Sequence, residues 1–427
     1  MRRRLGPGVI AAAAAMALVA GCGSDTDGST PDTGAAEATA TGENTDSGVT
    51  AAEGELDPGE NRTWPRAEYA QVRDETQGYM IEAQRLAEYV ALPSAIDSAL
   101  GKNSTLGVLK GPEATDLILP QEAVPVLTDA GMLSGFSTGG SSDTAPDSAA
   151  DPVGRATSAN VLNISVLRFP DEAAAADAAR GVHEVLITEG APDQYTGTPR
   201  PADTETAIDV LPETLASSNT QNDALSVNTL TARGDFVIYV NGYSGSGDEQ
   251  WAARTIARAV DEQGTLLDQF PATPIGQFDS LPIDVDKVLI LTLPAEERSV
   301  NQLSVYGARG LKHFTVSGDL DAVLDETGTD RVAIDDSMVY RSADAEGAEK
   351  LYQAMNDGDL EDGVYEQSAP APGVPGSSCI SKESTTETTI RCRVHVGRYT
   401  AMVDTKDDEL AAHQRITAQY MILDAVA

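Results

Sequence analysis

The chain has 427 residues, with 67 acidic and 29 basic side chains, only 5% aromatics and a formal charge of -38. Its length allows two or three ordinary domains, and 41% hydrophobic residues suffice to bury their cores. The charge excludes the clustered Lys and Arg that a nucleic-acid binder sets against phosphate, and it disfavours docking on anionic headgroups through a basic face.

Arg2-Arg3-Arg4, the apolar stretch Val9 to Ala20 and Gly21-Cys22 read as a signal peptide over residues 1–21. Leu18-Val19-Ala20-Gly21-Cys22 resembles the lipobox of bacterial lipoproteins. That resemblance implies a thioether-linked diacylglycerol on Cys22, often with a third chain such as palmitate, a load that exceeds the single-chain limit and holds firmly. The alternative is an ordinary secretory signal, or a short anchor, with a chance cysteine. No later apolar run is long enough to span a bilayer. The expected location is therefore the extracytoplasmic side of the cell membrane, with the membrane a partner through the lipid.

Residues 22–61 follow as the lipidated cysteine and a tether. From 23 to 61 the composition is mainly Gly, Ser, Thr, Ala, Asp and Glu with two prolines and without Lys, Arg or aromatics, which cannot bury enough surface to fold. A coil of that length reaches about 30–40 Å. Folding is expected from residue 62, with a helix from Glu75 to Val90 that stops at Leu92-Pro93.

The rest of the chain reads as a repeat. Leu106 to Leu109, Asp116 to Leu119 and Val126 to Gly131 recur at offsets equal to within one residue as Leu303 to Tyr306, Lys312 to Thr315 and Val323 to Gly328. Val166 to Asp171 recurs as Val339 to Asp344, each running into a helix with Asp171 or Asp344 as N-cap. Leu230 to Val240 and Val394 to Val403 read as hairpins with Gly at the tip, each followed by an amphipathic helix. The expected fold is α+β: two tandem related α/β sandwich domains, 62–275 and 276–427, mostly antiparallel sheets with helices packed on one face. Ser137 to Gly154, Gly190 to Asp223 and Gly358 to Ser378 read as loops, and Pro271 to Asp286 as a connector with few packing residues.

In an exported protein, lipidation of Cys22 leaves Cys379 and Cys392 as a disulfide pair, whose short loop contributes ~3 kcal/mol in the chain-entropy model. Two free thiols are the alternative. No metal site is expected, since no second Cys/His pair stands at ligand spacing, and no cofactor motif occurs.

The search for catalysis finds little. His183, His313, His395 and His413 form no helical ligand pair, though His395 and His413 sit on a strand and the helix after it. Gly242-Tyr243-Ser244-Gly245-Ser246-Gly247 approaches a nucleophile elbow with Ser244 as nucleophile, but also reads as a flexible loop. Arg233-Gly234-Asp235 spells an adhesion tripeptide on a hairpin tip, where a turn explains it. Asp357 to Gly363 alternates acids as calcium loops do, without the EF-hand positions. Arg168 and Arg341 recur between the copies, each ending a strand before a helix. They are the candidate ligand-binding pair, with structural ion pairing as the alternative.

Together with the lipobox and tether, the stretch Arg85-Leu86-Ala87-Glu88-Tyr89-Val90-Ala91-Leu92-Pro93-Ser94-Ala95-Ile96-Asp97 resembles a family of uncharacterised actinobacterial cell-envelope lipoproteins. That resemblance implies place and a two-domain build, with no activity to transfer. The repeat unit with its disulfide is similar in topology to the extracellular sensor domains of actinobacterial receptor kinases. The expected function is a non-enzymatic binding or sensor module for a lipid, glycan fragment or protein, with an interdomain cleft as the place for the ligand. The alternatives are a structural adaptor that binds envelope proteins, and a secreted hydrolase using Ser244 or the His395–His413 neighbourhood.

Overall fold

The computed structural model describes residues 54–69, 71–142, 159–189, 201–295, 303–315, 318–361 and 363–427. The expected signal peptide, Cys22 and the tether up to residue 53 lie outside them.

In the first copy, Asp74 accepts from the Gln77 amide and starts α1 (Glu75–Leu86). Pro93 does not simply stop this helix. It occupies the first position of the short α2 (Pro93–Ile96), where its missing N–H costs nothing. Next come β1 (Lys102–Asn103), β2 (Gly107–Leu109), α3 (Ala123–Asp129), β3 (Ser134–Ser141) and β4 (Asn160–Arg168). Asp171 caps α4 (Glu172–Thr188) as expected, accepting from the Ala174 amide. Strands β5 (Thr204–Thr206), β6 (Leu215–Gln221), β7 (Ala224–Arg233) and β8 (Phe236–Ser244) lead to α5 (Glu249–Leu267).

The second copy runs β9 (Ser304–Gly307), α6 (Ala308–Lys312), α7 (Gly318–Glu326), β10 (Arg331–Ile334), β11 (Met338–Arg341) and α8 (Ala345–Glu361). It closes with β12 (Glu366–Ser368), β13 (Ser378–Glu383), β14 (Thr388–Val396), β15 (Tyr399–Lys406) and α9 (Glu409–Asp424).

The fold is α+β, with two sheets whose paired strands are antiparallel. Their orders are β1-β3-β4-β8-β7-β6-β5, with β2 also on β3, and β12-β13-β14-β15-β11-β10-β9. Set β10, β11, β15, β14, β13 and β12 against β3, β4, β8, β7, β6 and β5, and one topology appears twice. The hairpin tips Gly234 and Gly397 both take the left-handed conformation that a side chain resists, at φ 56° and 53°.

Alternation sorts each strand's residues between faces. In the first sheet Ile164, Ile238 and Val240 face α5, while Leu167, Val237 and Leu230 face α3 and α4. Helices therefore cover both faces, not one. All three expected loops hold paired strand residues: Ser137 to Ser141 are the second half of β3, β5 and β6 fall in the segment from 190 to 223, and β12 in the second copy's. They were hidden because their residues are polar. The connector after α5 is also more than a linker, since Phe278 is 1% exposed and stacks edge-on to Tyr79 of α1.

The copies share a core. One apolar cluster joins Leu86, Val90 and Ile256 to Tyr306, Leu311, Leu351 and Met402. At the seam His313 is fully buried, its Nε2 donating to the Ala87 carbonyl at 3.1 Å and its Nδ1 bonded to the Thr138 hydroxyl at 2.9 Å, both in the first copy. Glu88 accepts from the amides of Arg309 and Gly310. This packed seam stands where the sequence suggested an open cleft. Residues 54–69, expected to end the tether and open the first domain, lie along the second copy. Gln414 donates to Asp57, the Arg66 amide donates to the Ile290 carbonyl, and the Arg66 guanidinium pairs with Asp335 at 3.2 Å.

Candidate functional site

The recurring arginines do not face a ligand. Arg168 is 3% exposed and lies between the rings of Phe236 and Phe278. Its three nitrogens donate to Asp235 at 3.1 Å, Glu82 at 2.5 Å and the Thr273 carbonyl at 2.6 Å. Arg341 is held by both oxygens of Asp330 at 2.8 Å and by Asp286 at 3.2 Å. Strand ends that abut a helix start are enclosed on several sides, so these cations are answered internally. The ligand-binding expectation gives way to the ion-pair alternative.

The other candidates are absorbed in the same manner. Ser244 is buried, and its hydroxyl accepts from the Asp248 amide at the start of α5. His395 meets Tyr352 of α8, while His413 sits on α9 and donates to the Ala369 carbonyl, so the two imidazoles lie on opposite faces of the second sheet. Arg233 pairs with Asp268 and Asp235 with Arg168, which engages both charges of the adhesion-like tripeptide. Asp357 to Glu361 belong to α8 rather than to a loop, and Asp359 is paired with Arg391 and Arg393. Cys379 and Cys392, opposite each other on β13 and β14, are joined as a disulfide. His413 lies within 4.8 Å of both sulfurs, but a disulfide lacks the thiolates that bind a metal.

A different constellation emerges from register. On the α4 face of the first sheet, Glu205, Ser217, Asn228, Asn241, Asn163 and Gly139 stand directly opposite one another on six neighbouring strands. Asn163 donates to Asn241 at 3.3 Å, and Asn241 donates to Asn228 at 2.8 Å and to Ser226 at 2.9 Å. Tyr239 donates to Asn228 at 2.9 Å, and Asn228 and Ser217 both donate to Asp203 at 2.8 Å. The amides are thus oriented by one chain of bonds ending on a single buried carboxylate, and such linked networks hold a fixed geometry. Asn163, Asn241 and Ser226 are half-buried, so the row reaches solvent toward β4. At its far end His183 of α4 is 7% exposed, and neither ring nitrogen has a hydrogen-bond partner among the described residues. Glu205 stands 4.0 Å from its Nε2.

Sequence reading missed this row because a lone Asn in an apolar strand reads as an interruption. The signal was in the hairpin: counting outward from Gly234 puts Asn228 opposite Asn241.

Two family models match the chain, the N-terminal domain of unknown function DUF7373 over residues 69–283 and its C-terminal counterpart over 288–425. No curated protein matches. Among solved structures the chain is similar to the extracellular domain of PknH from Mycobacterium tuberculosis, at 14% identity and TM-score 0.29, covering 48% of this chain and 99% of that one. It is also similar to DynU16, from the dynemicin biosynthetic locus, at 11% identity and TM-score 0.10 over 61% of this chain and 96% of that one. Both likenesses are remote. Among the described residues no helix is long and apolar enough to cross a membrane.

Proposed function

The chain belongs to the two-domain DUF7373 family, and from that premise we propose a non-enzymatic binding module, held by lipid on Cys22 at the extracytoplasmic side of a membrane. The ligand-facing surface is the polar row on the first sheet. The observation that carries this reading is the set of half-buried amides, pre-oriented and reaching solvent, in a molecule whose other candidate groups are spent on internal bonds. Pre-orientation lowers the ordering cost of binding. Absence of catalysis is part of the proposal, supported by the separation of His395 from His413 and by the bond that engages the Ser244 hydroxyl with the Asp248 amide.

Native mass spectrometry of the mature protein, released mildly from its own envelope, tests it. The expected result is an added mass that denaturation removes and that Asn163→Ala reduces. A clean mass without ligand, or a ligand indifferent to that substitution, overturns the assignment. A second reading, an adaptor for envelope proteins, draws support from Leu106 and Phe314, exposed at 46% and 39% beside the seam. A clean mass together with in-cell cross-links at these two residues favours it.

A further inference from the structure

We infer that the row takes a neutral, polyhydroxylated ligand, an oligosaccharide, at one site per chain. This rests on the row being the ligand-facing surface. Charge supports the class first. No Lys or Arg stands in the row, its carboxylates are Asp203 and Glu205, and the chain as a whole carries -38. An anionic ligand meets those carboxylates in the row, and the cation nearest in register on that face is the exposed Lys102 of β1, opposite Ser141 at the sheet edge. Asp203 already accepts from two donors, which leaves little for an ammonium.

Hydrogen-bonding capacity supports it second. The Nδ2 of Asn163 uses one donor on Asn241, leaving its second N–H and its carbonyl oxygen for a ligand, and the Ser226 hydroxyl accepts from Asn241 with its own hydrogen to give. An amide with donor and acceptor side by side matches two adjacent hydroxyls. An apolar ligand leaves these groups unanswered, at a cost. His183 brings a buried imidazole, without a hydrogen-bond partner among the described residues, to the other end of the row beside Glu205.

Shape is the third support. Gly139 closes the row at β3, and a β-carbon there would collide with the ends of the Asn163 and Ser104 side chains, so glycine keeps the strand flush beneath them. Tyr243 lies two residues beyond Asn241 on the same face, opposite Ser226. With strands spaced about 4.8 Å apart, the half-buried part of the row, Asn163, Asn241 and Ser226 on β4, β8 and β7, spans ~10 Å, room for a short oligosaccharide rather than one sugar unit.

The second copy explains the stoichiometry. Its hairpin places Arg391 opposite Asp404, at the same distance from the turn as Asn228 opposite Asn241. There the amide pair is replaced by an ion pair of two bonds, 2.9 and 3.0 Å, with Asp359 of α8 bonded to Arg391 and with the ring of Tyr365 against it. One copy keeps a neutral row and the other fills the same place with its own charges.

Calorimetry on the full mature chain tests the class, with maltotriose, mannotriose, galactotriose and arabinotriose as probes and a trigalacturonate as the charged control. The expected result is one neutral trisaccharide bound at one equivalent per chain. Its affinity stays within about twofold up to ~0.5 M salt, as for an uncharged ligand. Asn163→Ala weakens it about tenfold, the size of one good hydrogen bond. Asn163 is half-buried, so the fold tolerates this change, and Ser226→Ala serves as a second variant. Two equivalents, or preference for trigalacturonate with strong salt dependence, overturns the inference. A retained mass of lipid or peptide that Asn163→Ala removes overturns the sugar class and leaves the site standing. No binding by any probe, together with a clean native mass, overturns both.

Discussion

Burial of His313 at the seam makes the stability of the whole molecule depend on pH in a calculable way. Burial is the main cause holding its pKa down, with Arg309 adding repulsion, and the value falls from 6.5 to about 4. The folded state therefore keeps the ring neutral while the unfolded chain protonates it. A depressed histidine pKa contributes fully above the unfolded value and loses that contribution as pH falls through 6.5 toward 4. Between pH 7.5 and 5 the loss amounts to ~2 kcal/mol, from the two pKa values and proton linkage. Urea denaturation of wild type and His313→Gln at both pH values isolates it, because the substitution's own packing cost cancels between them. The wild type is expected to lose ~2 kcal/mol more than the variant over that range. His395, also lowered by burial, titrates in both proteins and cancels too. Equal losses, or an imidazole NMR signal from His313 that titrates near 6.5, refute the reasoning.

The two recurring arginines predict unequal consequences, read by chemical denaturation. Arg168→Ala takes one of two arginines from the buried Glu82 carboxylate, with Arg85 remaining, and removes its own three bonds, so it is expected to cost ~3 kcal/mol, whereas Arg341→Ala removes partly exposed pairs and costs about 1 kcal/mol or less. Equal costs would contradict the burial argument. Replacing Cys379 and Cys392 together by Ser is expected to lower stability by ~3 kcal/mol through loss of the cross-link. A thermal midpoint unchanged from wild type would show that the bond contributes little.

Much of the architecture was legible because it rests on local signals. The hairpins announced themselves by Gly234 and Gly397, and the α4 helix by Asp171, since a tip glycine and a capping carboxylate act within a few residues of chain. Strand β5 was not legible, because Thr204, Glu205 and Thr206 are all exposed and offer no apolar alternation. The connector looked empty for a related reason: Phe278 finds its partners, Tyr79 and Arg168, only in three dimensions. Arg168 and Arg341 looked equivalent in sequence and differ in burial because only the first is covered by both α1 and the connector. The amide row is the extreme case. Each Asn is unremarkable alone, and only sheet register brings them into line.

The bond between Asp57 and Gln414 joins positions 357 residues apart. In a chain made from its N-terminus, Asp57 emerges early and its partner on α9 much later, while Arg66 meets Ile290 and Asp335 on segments made in between. Contacts so distant in sequence form only after everything between them is available. The Asp57 end of that segment therefore waits unmatched until α9 is made, and a chain stalled before α9 leaves it open to proteases. Helix α9 acts as a seal on the segment that leads into the first copy.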